Sequence, residues 1–308
     1  MKLSAVKPVS RVLVRELAVT ALLLAGVSVV VFAILYLAPG DPLRALGVSE
    51  AQGVPRTWHG QYAAWFARVL QGDFGASFRT GLPVLPELAR VGANTLYLTL
   101  GALALTLAIA APIAVHAAAR GDTAGNTAAT IGAYIASAVP VFWFGYIVVY
   151  VFIHQFGLFP LISGTATKQQ HAWLYSLVPI LVLGTASGTL SEMVRHLREE
   201  LSRVLAEDYI RTARAKGAPV WRHAFKEGFL IPAIEIMSAK IPFLLGGAVI
   251  VEQVFNWPGM GRMAWQAAQD RDFPVIMGVA LVAAAFVRLG SLLQRVVFTV
   301  VNPRASQE

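Results

Sequence analysis

The side chains that could do chemistry are few, and they are scattered. The six histidines, His59, His116, His154, His171, His196 and His223, do not form the His-Glu-x-x-His spacing that places two imidazoles on one helix face around zinc. His154 and His171 could meet beyond a membrane span as nickel ligands, although scattered histidines need no metal to explain them. Gly184-Thr185-Ala186-Ser187-Gly188 comes close to a serine nucleophile elbow without matching it, and no histidine stands beside it in sequence. Cysteine is absent, which removes thiol nucleophiles, disulfides and cysteine-based metal sites. No glycine is followed by lysine, so the chain has no Gly-Lys-Ser/Thr phosphate cradle and ATP must be hydrolysed elsewhere if it is used at all.

Two other groups of residues stand out. Glu235, Lys240 and Arg288 lie within apolar stretches, where an ionisable group costs about 2.5 to 3.5 kcal/mol on insertion and so turns to protein or to water. Glu235 and Lys240 are about 500° of helical turn apart and are poorly placed to pair on one helix. Lys240 could attract a solute carboxylate, pair with an acid of a partner subunit, or snorkel; Arg288 and Arg295 fit snorkelling. The second group is Glu207-Asp208-Tyr209-Ile210-Arg211-Thr212-Ala213-Arg214-Ala215-Lys216-Gly217. Its acids come first and its bases last, as a helix macrodipole favours, and Gly217 before Ala218-Pro219 is a stop signal. The expected short helix exposes small residues at Thr212, Ala213 and Ala215 beside Arg211, Arg214 and Lys216, a surface able to enter a groove; a solvated charged loop would have the same composition.

The elements that position these residues are membrane spans. The chain of 308 residues is 56% hydrophobic and 14% charged, with a mean hydropathy of +0.62. A soluble domain carries roughly a quarter charged residues. A helix needs roughly 20 apolar residues to cross a bilayer. Six stretches qualify, at residues 17–38, 95–119, 131–153, 173–194, 229–251 and 274–301, which predicts an all-α membrane protein of about six transmembrane helices. Pro112, Pro140, Pro179 and Pro242 fall inside four of them, as absorbed kinks or as hinges. Lys2, Lys7, Arg11 and Arg15 before the first span, and the dense basic cluster from Arg195 to Lys226, place both termini and the loop at about 195–228 in the cytoplasm. The net charge of +8 therefore follows topology and needs no nucleic acid. The expected organisation is a tail and first span at 1–38, an external loop or lobe at 39–94 and a five-span core at 95–308. No internal repeat supports an inverted-repeat secondary transporter, and a membrane enzyme lacks a catalytic constellation.

The segment Tyr209 to Gly217 resembles the coupling loop of ABC-importer permeases of the dipeptide/oligopeptide/nickel class. Other landmarks are similar to that family and in its order: Pro39-Gly40-Asp41-Pro42, Gly72-Asp73-Phe74-Gly75 with Ser77, Pro140-Val141-Phe142-Trp143, Glu252 with Phe255-Asn256-Trp257-Pro258-Gly259-Met260-Gly261-Arg262, Arg271-Asp272-Phe273-Pro274, and Asn302-Pro303-Arg304. The resemblance implies a type I permease in the bacterial cytoplasmic membrane, paired with a second homologous permease. It implies two cytoplasmic ATPases that carry ATP and magnesium, and an external substrate-binding protein. Short peptides are the implied solute, with nickel or another small solute as the alternative. Residues Glu207, Asp208, Tyr209, Arg211, Thr212, Ala213, Arg214, Ala215, Lys216 and Gly217 would couple to the ATPase. Glu235, Lys240, Glu252, Asn256, Trp257, Pro258, Gly259 and Arg288 are candidates for the translocation path or gate, and no metal, cofactor or catalytic residue is expected on this chain. Lys240, Ser291 and Arg295 depart from the family's pattern, which leaves the solute less determined than the fold.

Overall fold

A computed structural model describes residues 6–37, 57–121, 123–156, 172–186 and 188–301. The motifs at 39–42 and 302–304, together with Ser187 and His171, lie outside the described residues. Along the chain run α1 (Val6–Leu37), α2 (Trp58–Leu70), α3 (Val84–Arg120), α4 (Ala124–Ala138), α5 (Val141–Phe156) and α6 (Ala172–Thr185). They are followed by α7 (Thr189–Leu205), α8 (Asp208–Ala215), α9 (Val220–Phe225), a π turn (Lys226–Leu230), α10 (Ile231–Val254), α11 (Met260–Asp270) and α12 (Phe273–Val301). Among the described residues the only extended pairing is one isolated bridge between Ala76 and Pro83.

Four stretches are long and apolar enough to cross a bilayer singly: Val14–Leu37, Val84–Arg120, Val220–Val254 and Phe273–Val296. The expected third and fourth spans are each broken. α4 and α5 meet at 95°, and α6 and α7 at 60°, so the total reaches six only when each bent pair is one span. The first break lies at Val139-Pro140, where Val139 is extended (φ −77°, ψ 126°). Proline supplies no amide hydrogen and pushes the preceding residue out of the helical region. Pro112, Pro179 and Pro242 sit within continuous helices instead. The two breaks touch each other. Ser137, at the end of α4, accepts from Gly188 N through its carbonyl at 3.0 Å and from Ser191 N through its hydroxyl at 3.0 Å, so it satisfies orphan donors at the start of α7.

α3 is the central post. It starts at Val84, earlier than the expected residue 95, and small buried residues Ala102, Thr106, Ala110, Ala114 and Ala117 run along it. Their lack of bulk lets α6 and α7 approach closely, so that van der Waals packing can hold helices that have no hydrophobic driving force to associate in lipid. Thr106 Oγ1 reaches the carbonyl of Gly184 on α6 at 2.7 Å.

α1 is attached through charge. Glu16, buried to 2% exposure, receives Arg288 Nη2 at 2.8 Å and Arg295 Nη1 at 2.7 Å from α12, while Arg288 Nε donates to Thr20 Oγ1 at 3.2 Å. The two arginines therefore do not snorkel alone, as expected from α12 considered by itself; an acid on another helix draws them in. Further along α1, Phe32 packs with Trp65 of α2 and Met277 of α12, and Ser28 Oγ lies 2.8 Å from Tyr62 Oη. Glu16→Gln leaves the guanidiniums without their counter-charge, and breaking such a buried pair from one side costs about 3 kcal/mol. The purified protein is expected to melt several degrees lower in detergent; an unchanged melting temperature would show that the cluster does not fasten α1 to α12.

Candidate functional site

The two candidate sites lie beyond opposite ends of α10: the short helix α8 precedes it in the chain, and a hydrogen-bonded turn follows it.

At the first end, α8 is bound inward by two side chains. Ile210 is fully buried, packed with Leu201, Val204 and Ala224 and flanked by Val115, Ala118, Leu205 and Val220, and Ala213 is 6% exposed. Ala213 thus faces the core and does not belong to the small exposed surface expected from the sequence, because it sits three positions after Ile210 on the same helix face. Tyr209, Arg211, Thr212, Arg214, Ala215 and Lys216 are exposed, so the outward face has small residues at Thr212 and Ala215 with cations around them. The Glu207 carbonyl accepts from Ile210 N and Arg211 N at 3.1 and 3.2 Å, and the Asp208 carboxylate pairs with Arg211 at 3.3 Å on the surface. The other end closes as a Schellman motif: Ala218 N donates to Ala213 O at 2.9 Å and Gly217 N to Arg214 O at 3.1 Å, with Gly217 at φ +69°. Tyr209 Oη donates to Glu227 Oε2 on the π turn at 3.1 Å. Burial, then that hydrogen bond, raises the Tyr209 phenol above its ordinary range, so it remains a neutral donor at and above neutral pH.

At the other end, Glu252 organises the turn between α10 and α11. Its carboxylate accepts from Thr95 Oγ1 of α3 at 2.7 Å and from Arg262 N at 2.9 Å, with Gly261 N as a further donor. Thr95 Oγ1 in turn accepts from Met260 N at 2.7 Å. The first turn of α11 is thus capped by a side chain from the preceding helix and by a hydroxyl from α3, which meets the need of its free amides and places a negative group at the positive end of the helix dipole. Gly259 is required by close approach: a Cβ there would stand 2.1 Å from the Glu252 carboxyl carbon. Trp257 is 5% exposed and stacks on Tyr175 of α6 and Tyr97 of α3, with centroids 5.2 and 6.1 Å away. Its indole donates to Asn94 O at 3.3 Å, and Asn94 Nδ2 donates to Pro258 O at 2.8 Å. Arg262 Nη1 donates to Asn256 O at 3.1 Å.

Beside this turn is a cavity of about 450 Å³ whose lining includes Ser77, Arg79, Glu87, Arg90, Arg262 and Asp272. Ser77 Oγ donates to Asp272 Oδ2 at 2.5 Å and Arg79 pairs with Asp270 at 3.2 Å. Two motifs nearly two hundred residues apart are thereby one contact. Thr95 and Glu16 stand in no motif, and a lone Thr or Glu carries no local signal of its distant partner; Ser77 belongs to a landmark, but the sequence does not say that it bonds Asp272.

The charged residues inside the spans are also placed. Lys240 Nζ pairs with Glu192 Oε2 of α7 and lies 5.2 Å from the ring centre of Phe243. Of the alternatives open for Lys240, a solute carboxylate, an acid of a partner subunit or snorkelling, none names the acid found beside it, which comes from the same chain. Glu235 is half-buried on α10 with no ion pair among the described residues, and Arg288 is held by Glu16. Among the described residues no three His, Asp or Glu side chains are grouped to hold a metal, and the His154 ring lies tilted against Tyr150 with centroids 4.3 Å apart.

A methyl group at position 259 would expel the Glu252 carboxylate. Gly259→Ala is therefore expected to speed amide hydrogen exchange at Gly261 and Arg262 by about tenfold or more, the weight of a charged hydrogen bond. Unaltered exchange at both amides would remove Glu252 from its capping role.

The chain matches the family model described as "Binding-protein-dependent transport system inner membrane component" over residues 110–307. It is 34% identical to the oligopeptide transport system permease protein AppB of Bacillus subtilis (strain 168) over 302 residues, covering 92% of this chain and 95% of that protein. It is 33% identical to the glutathione transport system permease protein GsiC of Escherichia coli (strain K12), and equally to that of Salmonella typhimurium, over 292 residues, covering 90% of this chain and 92% of those. With a helical membrane-spanning fold, an exposed helix α8 where the coupling loop was expected and family likeness along nearly its whole length, the chain belongs to the binding-protein-dependent transport system inner-membrane components, the ABC-importer permeases.

Proposed function

We propose that this chain forms half of the solute path of a bacterial ABC importer for short peptides, working in the cytoplasmic membrane with a second homologous permease. The relatives named for oligopeptide and glutathione transport support the solute class. The observation that carries the mechanism is α8: a helix fixed to the bundle by Ile210 and Ala213, with a cationic, low-relief face turned outward. Such a face suits a groove with acidic rims on each cytoplasmic ATPase, where ATP and magnesium would reside. In this reading the α8 end is cytoplasmic, in agreement with Arg195, Arg198, Arg203, Arg211, Arg214, Lys216, Arg222 and Lys226 around it. The α11 end faces outward, with residues 57–83 and the external binding protein.

The physical route between the ends is short. Ile210 packs on Leu201 and Val204, so a displacement of α8 is carried into α7 as a rigid unit. α7 meets α4 at Ser137, and through Leu201 and Val204 it packs closely on Gly228 of the π turn that leads into α10. α10 ends at Glu252, whose carboxylate holds α3 and α11. Closure of the ATPases would thus reach the turn at Asn256, Trp257, Pro258 and Gly259, which acts as the outer gate.

Arg211→Glu reverses charge on the docking face without touching the core, and Gly217→Ala places a side chain at φ +69°, a conformation costing about 1 to 2 kcal/mol outside glycine. In the reconstituted importer both are expected to lower ATP-driven peptide uptake at least tenfold while membrane insertion and ATP hydrolysis persist. Uptake at the unaltered rate in both variants would refute the coupling role.

A further inference from the structure

The Lys240 and Glu192 pair is asymmetric in a way that a structural brace does not require. The Lys240 side chain is 12% exposed and the Glu192 side chain 46% exposed. The carboxylate, which holds the ammonium, is the open member. An ionised group half open to hydrocarbon is unfavourable, so this opening faces water or another protein chain. α10 leaves a continuous face uncovered beside it: Ala239, Pro242, Phe243, Gly246 and Ile250 are exposed at helical spacing.

Glu192 also has a second favourable place. It lies in the first turn of α7, its amide donating to Gly188 O at 3.0 Å, and a Cβ at Gly188 would stand 3.4 Å from Glu192 Oε1. The carboxylate is therefore folded back towards the positive end of its own helix, which stabilises an anion without any help from Lys240. Lys240 has three ammonium donors; among the described residues Glu192 is its one carboxylate partner, and the Phe243 ring lies beside it.

We propose that Lys240 receives the carboxylate of the travelling solute, and that Glu192 is a built-in occupant which neutralises Lys240 between transport events and yields to the solute. The inference rests on the peptide reading above, since a linear peptide ends in a carboxylate. An empty, uncompensated ammonium would be costly within a span, and a permanently saturated one could not select. An exchangeable carboxylate with its own helix terminus meets both conditions. The point charge of a lysine, unlike the fixed fork of an arginine, accepts a carboxylate arriving in many orientations, as solutes of varied length require.

The test uses the complete reconstituted importer and compares ATP-driven uptake of tri-alanine with that of its carboxy-terminal amide. The binding protein is unchanged across variants, so its own preference cancels when ratios are compared. Lys240→Gln is expected to lower the acid-to-amide uptake ratio by about tenfold, the weight of a charge-assisted hydrogen bond. Glu192→Gln removes the competitor and is expected to raise that ratio several-fold. The double variant E192Q/K240Q leaves no unpaired charge to disturb folding, and its ratio is expected to stay low. If the single variants change uptake of both peptides by one factor, or the double variant restores the original ratio, the pair is only a brace and the proposal falls. If the unaltered importer carries neither peptide while transporting the solute of its binding protein, the peptide reading itself fails and takes this assignment with it.

Discussion

The arrangement of α3, α10 and α11 depends on the carboxylate of Glu252, which has no exposure to solvent. A buried carboxylate is tolerated only when its lone pairs are met, and here a hydroxyl from α3 and amides from α11 meet them. The same contacts satisfy the free amides of α11, so one group resolves two costs at once. Neighbouring sequence follows from it: a glycine at 259 because the carboxylate occupies the space of a side chain, and a threonine at 95 because one hydroxyl can donate to Glu252 and accept from Met260. Replacement of any member leaves another polar group buried and unmet, which is why the cluster behaves as a unit.

Polar contacts inside the bundle serve a different purpose from apolar packing. Lipid is as apolar as the side chains it touches, so hydrophobic burial does little to choose which helices meet. The small residues on α3 permit closeness, but ionic and hydrogen-bonded contacts choose the partners: Glu16 with Arg288 and Arg295 for α1 and α12, and Ser137 with the start of α7 for the two broken helices. Each is a pair of groups that would be costly alone in hydrocarbon. Their positions mark where helices are held.

The two bent helix pairs also have a physical cause. Proline at 140 removes an amide hydrogen and Gly188 adopts φ +86°, so both segments turn, and the amides freed at the second break are taken up by Ser137 at the point where the breaks meet. A break inside a membrane protein survives only when its backbone groups find partners within the protein. Two breaks, one supplying the other's partners, are therefore more stable together than apart.

Composition and apolar run length were sufficient to read an all-helical membrane protein, because a bilayer of fixed thickness imposes a length on every crossing. The short helix before Gly217 was legible from charge order and a glycine stop, both local effects, and the turn at 256–259 from its turn formers. The structure decided the rest. That Ala213 faces inward depends on Ile210 having a pocket formed by α7 and α9. That Pro140 breaks residues 131–153 into two helices, where Pro112, Pro179 and Pro242 are absorbed, goes with Ser137 receiving amides at the start of α7. The partners of Lys240 and Arg288 stand 48 and 272 residues away in the chain. Helical periodicity and capping act over a few residues and leave their pattern in the sequence, whereas ion pairing acts through space and depends on which helices tertiary packing has made neighbours.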